Sequence, residues 1–355
     1  MKFNTTMMSH MGDVTRLLME QGPAAATASI QQALAGNLPA GPSPRSQPAM
    51  KDINPPPFAT PWERESVAPA ARSGSRFTES VFTNHAGTRS YKLYVPAAYD
   101  GTPMPLLVML HGCTQNPDDF AAGTRMNVLA EEHGFLVAYP AQSRKANQSG
   151  CWNWFAANDQ KRDHGEPAIL AGIVGQVAQD YAVDKKRIFA AGLSAGGAMA
   201  TTLGTLYPEL FAAVGVHSGL PYAAARDLPS ALQAMKKGRA GKAPAQLNTP
   251  LIVFHGDHDK TVHPRNGSQI LADAVASSST PASRIEERGK SRGGRKYTRT
   301  SHLLPNGLPL AEEWVLHGAG HAWSGGCKAG SYTDPTGPDA SSEMVRFFRT
   351  VSGLV

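Results

Sequence analysis

Cysteine is scarce, with three in 355 residues. Three cannot build a disulfide scaffold, and the spacing of Cys113, Cys151 and Cys327 fits no zinc-ligand pattern, so neither a metal nor a cofactor is expected. No apolar run approaches the roughly 20 residues that span a bilayer, and no transmembrane segment is expected. The opening residues, MKFNTTMMSHMGDVTRLLMEQG, lack the basic stretch and continuous apolar core of a secretory leader. On that ground alone the location is cytoplasmic. A strong excess of one charge is also missing: 34 basic against 28 acidic side chains leave +6, and the basic residues are dispersed. No nucleic-acid motif accompanies them, so no nucleic-acid partner is expected.

What is present is the make-up of a globular protein: 41% hydrophobic and 17% charged residues exclude global disorder. The length suits one large α/β domain or two smaller ones. Three zones are visible. Residues 1–36 suggest one or two short helices, with Leu17, Leu18 and Met19 clustered and Ile30 and Leu34 on one helical face. Residues 37–75 shift to Pro, Ser and Ala and read as an extended linker. This arm is either a poorly ordered extension or an element that contacts a partner or a granule surface. From residue 76 to the C-terminus the texture is that of a folded domain.

Strand-like runs Phe77 to Phe82 and Ser90 to Val95 flank Asn84-His85-Ala86-Gly87, a hairpin turn. Strands and helices then alternate. Leu106 to Leu110 is a continuous apolar run, as in a strand buried on both faces. A helix from Asp118 to His133, a strand from Phe135 to Tyr139, a helix near Ala168 to Tyr181 and a strand from Arg187 to Ala191 follow. Further strands are expected at Phe211 to Val216, Leu251 to Phe254 and Glu313 to Leu316, and a last helix over Ser341 to Val351. The basic stretch Arg284 to Arg299 reads as a solvated hairpin excursion. The alternation implies an α/β fold with a mostly parallel sheet covered on both faces.

Chemistry concentrates in Gly192-Leu193-Ser194-Ala195-Gly196-Gly197, a Gly-x-Ser-x-Gly elbow between a strand and a small-residue helix. The tight turn needs neighbours without bulk and lifts the Ser194 hydroxyl to the sheet edge, at a helix N-terminus that favours negative charge. A serine hydroxyl needs a base and an orienter, and in this fold they follow in the order Ser, acid, His. Downstream of the strand ending at Phe254, Asp257 and Asp259 are both candidates. Asp259 is preferred because Gly256-Asp257 would form the turn itself, although both could be solvated turn residues. His321, among the small residues Gly318, Ala319, Gly320 and Ala322, is the candidate base; His317 is its rival. His255 and His258 read as loop residues that help position the acid. An oxyanion needs backbone donors, for which the N–H groups of Ala195 and Cys113 are the candidates. A Cys113–Cys151 disulfide clamping that loop is geometrically reasonable, and so are three reduced thiols. Trp154 and Trp323 read equally as packing beneath loops or as lining an apolar acyl or aryl subsite.

Five motifs stand in order: His111-Gly112-Cys113-Thr114-Gln115, Cys151-Trp152-Asn153-Trp154-Phe155, the elbow, Gly256-Asp257-His258-Asp259 and Gly320-His321-Ala322-Trp323-Ser324-Gly325-Gly326. Together they resemble the polyhydroxybutyrate depolymerase family of esterases, which also contains feruloyl and acetylxylan esterases. The resemblance implies an α/β-hydrolase fold, a triad of Ser194, Asp259 and His321, an oxyanion loop at Cys113, and an ester polymer or oligomer as substrate. It also implies secretion, against the leader reading above, and many polymer depolymerases carry a polymer-binding domain that is not seen here. Alternatives on the same fold are a plant-polysaccharide esterase, a peptidase or acyltransferase, and a non-catalytic granule-surface protein.

Overall fold

The computed structural model describes residues 74–241 and 246–353. The helices expected over residues 1–36, and the linker expected over 37–75 save its last two residues, lie outside the described residues.

A hairpin opens the described chain. Strands β1 (Arg76–Asn84) and β2 (Gly87–Val95) pair antiparallel, closing at Asn84 opposite Gly87 as the turn residues require. Then come β3 (Met104–Leu110), helices α1 (Pro117–Thr124) and α2 (Met126–His133), β4 (Leu136–Pro140), α3 (Gly165–Asp180) and β5 (Val183–Leu193). They are followed by α4 (Ala195–Leu206), β6 (Ala213–His217), α5 (Leu228–Lys237), β7 (Leu251–Gly256) and α6 (Arg265–Ser277). The chain finishes with β8 (Ser283–Lys290), β9 (Lys296–Leu303), β10 (Pro309–Leu316), two short strands β11 (Trp323–Ser324) and β12 (Thr333–Asp334), and α7 (Ala340–Val351).

Strands β1 to β10 form one sheet in the order β1-β2-β4-β3-β5-β6-β7-β10-β9-β8. From β4 to β10 every neighbouring pair is parallel, while the outer pairs at both ends are antiparallel. The fold is the expected α/β-hydrolase type. Burial on both faces follows from strand alternation. Leu106, Val108 and Leu110 join a core with Ile169, Ile173, Met199 and Ile270 of α3, α4 and α6. Leu107 and Met109 point the other way, to Phe120, Met126 and Phe348 of α1, α2 and α7.

Two departures from the sequence reading have local causes. The single helix expected over 118–133 is two, because Arg125 takes a left-handed conformation (φ 55°). There its N–H closes α1 on the Ala121 carbonyl, and its guanidinium reaches the Gly325 carbonyl and Asp339. The basic stretch is indeed a hairpin, but β8 and β9 extend the sheet instead of leaving it. Strand β8 is the edge, with Arg284, Glu286 and Arg288 exposed.

Against the sheet, Phe348 of α7 stacks on Phe189 of β5 with ring centroids 4.7 Å apart and planes 5° from parallel. Both rings are buried. Phe348→Ala is expected to cost about 3–4 kcal/mol of unfolding free energy, measured by urea titration; a loss below about 1 kcal/mol would mean α7 is not a structural wall of the core.

Candidate active site

Ser194 is held where β5 ends and α4 begins, with φ 57° and ψ −119°. A non-glycine residue there is strained and persists only because the surrounding structure holds it. The turn exists because its neighbours have no side chain. A Cβ on Gly196 would lie 2.0 Å from the Leu110 carbonyl oxygen, and one on Gly192 would lie 2.4 Å from the Gly196 carbonyl carbon. The start of α4 is thereby pressed onto the end of β3. The Ser194 N–H donates to the His217 carbonyl at 2.9 Å, which fixes the elbow to the end of β6.

Two strands further along the same edge, the loop after β7 carries Asp259. Its Oδ1 accepts the N–H groups of Thr261 (2.9 Å) and Val262 (2.8 Å), and its Oδ2 accepts from His321 Nδ1 at 2.7 Å. His255 Nε2 stands 3.5 Å from the same Oδ2 and donates to the Val262 carbonyl at 2.8 Å. Burial opposes ionisation of Asp259, but the hydrogen bonds from His255 and His321 outweigh it and hold the carboxyl well below the usual range. An ionised carboxylate only accepts, so His321 carries its proton on Nδ1 and keeps the Nε2 lone pair free.

The rivals form a pair of their own. Asp257 Oδ2 accepts from His317 Nδ1 at 2.9 Å, and its Oδ1 accepts the Gly318 N–H at 2.6 Å. This exposed clamp ties the loop after β7 to the loop after β10, upstream of His321. His258 is solvated, 73% exposed at its side chain.

At the end of β3, Cys113 is disulfide-bonded to Cys151, and Cys327 is a free thiol. The carbonyl of Gly112 accepts from His111 Nδ1 at 2.8 Å and from the Gln115 N–H at 3.3 Å. That carbonyl shares a peptide plane with the Cys113 N–H, so holding one orients the other. His111 is buried, which lowers its basicity and keeps it neutral, and its Nε2 accepts the Gln142 N–H at 3.1 Å.

Both tryptophans are buried. Trp154 is 5% exposed, and Trp323 is 1% exposed, with its indole N–H donating to Ser341 Oγ at 3.0 Å. Trp323 packs edge-on to Phe120 and flat on His217, so it supports the loops from beneath.

His217 and Glu166 are the residues that sequence reasoning missed. His217 is fully buried between the rings of Phe254 and Trp323, accepts the Ser324 N–H on Nε2 at 3.0 Å and meets Ser218 Oγ through Nδ1. Its signal was a histidine directly after a buried apolar strand. Glu166 opens α3 and gathers donors from three segments; its signal was Glu-Pro at a helix start.

A family model described as "Esterase PHB depolymerase" matches residues 89–284. The chain belongs to this family. It is 30% identical over 256 residues to poly(3-hydroxyalkanoate) depolymerase C of Paucimonas lemoignei, covering 67% of this chain and 59% of that protein. It is 29% identical over 207 residues to feruloyl esterase B of Thermothelomyces thermophilus, covering 50% of this chain and 67% of that protein. The chain thus spans between about three fifths and two thirds of the length of these relatives. Among solved structures, an acetyl xylan esterase from Aspergillus awamori superposes with a TM-score of 0.60 at 19% identity, covering 77% of this chain and 99% of that one. At that identity the likeness shows the fold.

Burial first, then the neighbouring imidazoles of His255 and His321, push the basicity of His217 down to about 3. The unfolded chain, with an ordinary imidazole near 6.5, binds a proton that the folded chain refuses, so stability falls as pH drops from about 6.5 toward 3. Between pH 6.5 and 4.5 this contributes about 2 kcal/mol to the loss of unfolding free energy. The expected outcome is that His217→Gln, compared by urea titration at the two pH values, shows a pH-dependent loss about 2 kcal/mol smaller than the natural chain does. An identical slope would show that His217 titrates freely in the folded state.

Proposed function

We propose that this chain is a serine carboxylic-ester hydrolase acting on polyhydroxybutyrate or short hydroxyalkanoate oligomers. The observation that carries the chemistry is the 2.7 Å bond from His321 to Asp259 on the same sheet edge as the strained Ser194. The polyester substrate is supported by the match to the Paucimonas lemoignei depolymerase.

In this reading His321 Nε2 takes the Ser194 proton as Oγ attacks the ester carbonyl carbon. The carbonyl oxygen becomes an oxyanion facing the N–H groups of Ala195 and Cys113, the former at the positive end of α4. Collapse breaks the carbon–oxygen bond to the alcohol, which leaves with the proton from the imidazolium, and the acyl group stays on Ser194. Water, deprotonated by the same Nε2, then releases the acid and restores the serine. Asp259 stays ionised throughout, holding the tautomer and stabilising the imidazolium. The Cys113–Cys151 bridge supports an oxidising compartment as the place of work, since such bonds are rare where thiols are kept reduced.

Release of 3-hydroxybutyrate from amorphous polyhydroxybutyrate and of ferulate from methyl ferulate is to be measured side by side, with Ser194→Ala as the blank. Serine-dependent hydroxybutyrate release is expected, with Ser194→Ala about 10⁴-fold or more down in kcat. Ferulate release without hydroxybutyrate would move the substrate to aryl esters, as the likeness to feruloyl esterase B would then suggest. Activity retained in Ser194→Ala would defeat the hydrolase reading altogether.

Asp259→Asn tests the orienter separately. The amide can donate to Nδ1 and shift the imidazole proton to Nε2, so kcat is expected to fall about 10³- to 10⁴-fold with the fold intact by circular dichroism. A loss of less than about tenfold would instead favour Asp257 as the acid.

A further inference from the structure

A polar cluster is buried behind the oxyanion loop. Glu166, the second residue of α3, is 3% exposed. Its carboxylate accepts from the Asn153 N–H (2.7 Å), Asn153 Nδ2 (2.9 Å), Arg89 Nη2 (3.3 Å) and Gln142 Nε2. Asp159, also buried, accepts the Glu166 N–H at 2.6 Å. Two buried carboxylates therefore lie close together, and the Arg89 guanidinium is paired with that of Glu166. Burial and the charge of Asp159 push the Glu166 carboxyl up to about 7, against the pull of Gln142, Asn153 and Arg89. The four contacts on the carboxylate are all donors, so the cluster is built for the ionised form.

From this carboxylate two routes lead to one peptide bond. In the first, Glu166 holds Gln142, whose Oε1 also accepts from Arg89 Nε at 2.9 Å. The Gln142 backbone N–H donates to His111 Nε2, and His111 Nδ1 donates in turn to the Gly112 carbonyl. Because Nε2 accepts, Nδ1 must carry the proton, so the tautomer that grips Gly112 is set from the Gln142 side. In the second, Glu166 holds Asn153 while Gln142 Nε2 donates to the Cys151 carbonyl at 2.8 Å; Cys151 is bonded through its sulfur to Cys113. One route holds the carbonyl of the Gly112–Cys113 peptide and the other holds the side chain of the residue that carries its N–H.

We propose that Glu166 is a positioning residue for the oxyanion donor, locking the Gly112–Cys113 peptide through His111 on one side and the disulfide on the other. This rests on the reading of Cys113 as that donor.

The test uses an alkyl trifluoromethyl ketone. The Ser194 Oγ adds to its carbonyl carbon, the serine proton passes to His321 Nε2, and the ketone oxygen becomes an alkoxide on the oxyanion donors. Ketone affinity, kcat and KM on a soluble 3-hydroxybutyrate oligomer, and thermal midpoint are measured for the natural chain, Glu166→Gln and Asn153→Ala. The second variant lies on a half-buried loop and keeps its backbone donor, so it reports even if the first does not fold. A positioning role lowers ketone affinity and kcat together by about 10- to 100-fold in Glu166→Gln, and in the same direction but less in Asn153→Ala, with KM within about threefold; the ceiling is the loss seen when a whole oxyanion donor is deleted. A lowered midpoint with unchanged ketone affinity and kcat in the folded variants would overturn the proposal and leave Glu166 a structural residue. Failure of the natural chain itself to form the ketone adduct would overturn the hydrolase reading, and the proposal with it.

Discussion

The site depends on how closely the start of α4 approaches the end of β3. Strands β3 and β5 run parallel and end level, Leu110 opposite Gly192, and the chain must leave β5, turn and enter a helix without moving away from β3. It does so through Gly192 and Gly196, whose missing side chains let backbone meet backbone. The strain this leaves at Ser194 is held by the hydrogen bond to His217 and by the buried face of α4. Because the contact is backbone to backbone, the loop after β3 is placed against the serine whatever side chains that loop carries.

Around that contact the structure arranges histidines in graded settings. His321 has one nitrogen on an ionised carboxylate and the other uncommitted. His217 and His111 are buried and kept neutral, each using one ring nitrogen to accept a backbone N–H. His317 sits on the surface, paired with Asp257. The same side chain faces an ionised carboxylate at the loop in one place, packs neutral in the core in two others and sits in a surface pair in the last, and the difference is set by burial and by which atom each nitrogen faces.

Much of this is legible in the sequence, for physical reasons that vary by element. The central strands announce themselves because burial on both faces demands unbroken apolar runs such as Leu106 to Leu110. Ser194, Asp259 and His321 stand out because a tight turn leaves glycine and small residues in fixed places around them. Glu166 and His217 do not, because a buried polar residue is defined by partners far away in the chain: Glu166 meets Arg89 across 77 residues and His217 meets Ser324 across 107. The break at Arg125 is equally silent, since nothing in its neighbours requires a left-handed arginine until Gly325 and Asp339 arrive to bind it. The tryptophans show a further limit: Trp323 lies next but one to His321 in the chain, yet its ring turns inward to Phe120 and His217.

The outer strand β8 has a bearing on how copies of this chain meet. An unpaired strand edge is a template for adding another strand. Were two β8 edges to pair antiparallel about Glu286, that residue would face its own copy, and Arg284 of each copy would face Arg288 of the other. In that register these three positions would each meet their own sign, and like charges directly opposite are destabilising. Within one copy the same charges are satisfied, Glu286 taking both Arg284 and Arg288. In that register the edge satisfies its own charges and repels its twin, a self-avoidance carried by alternate residues of a single strand.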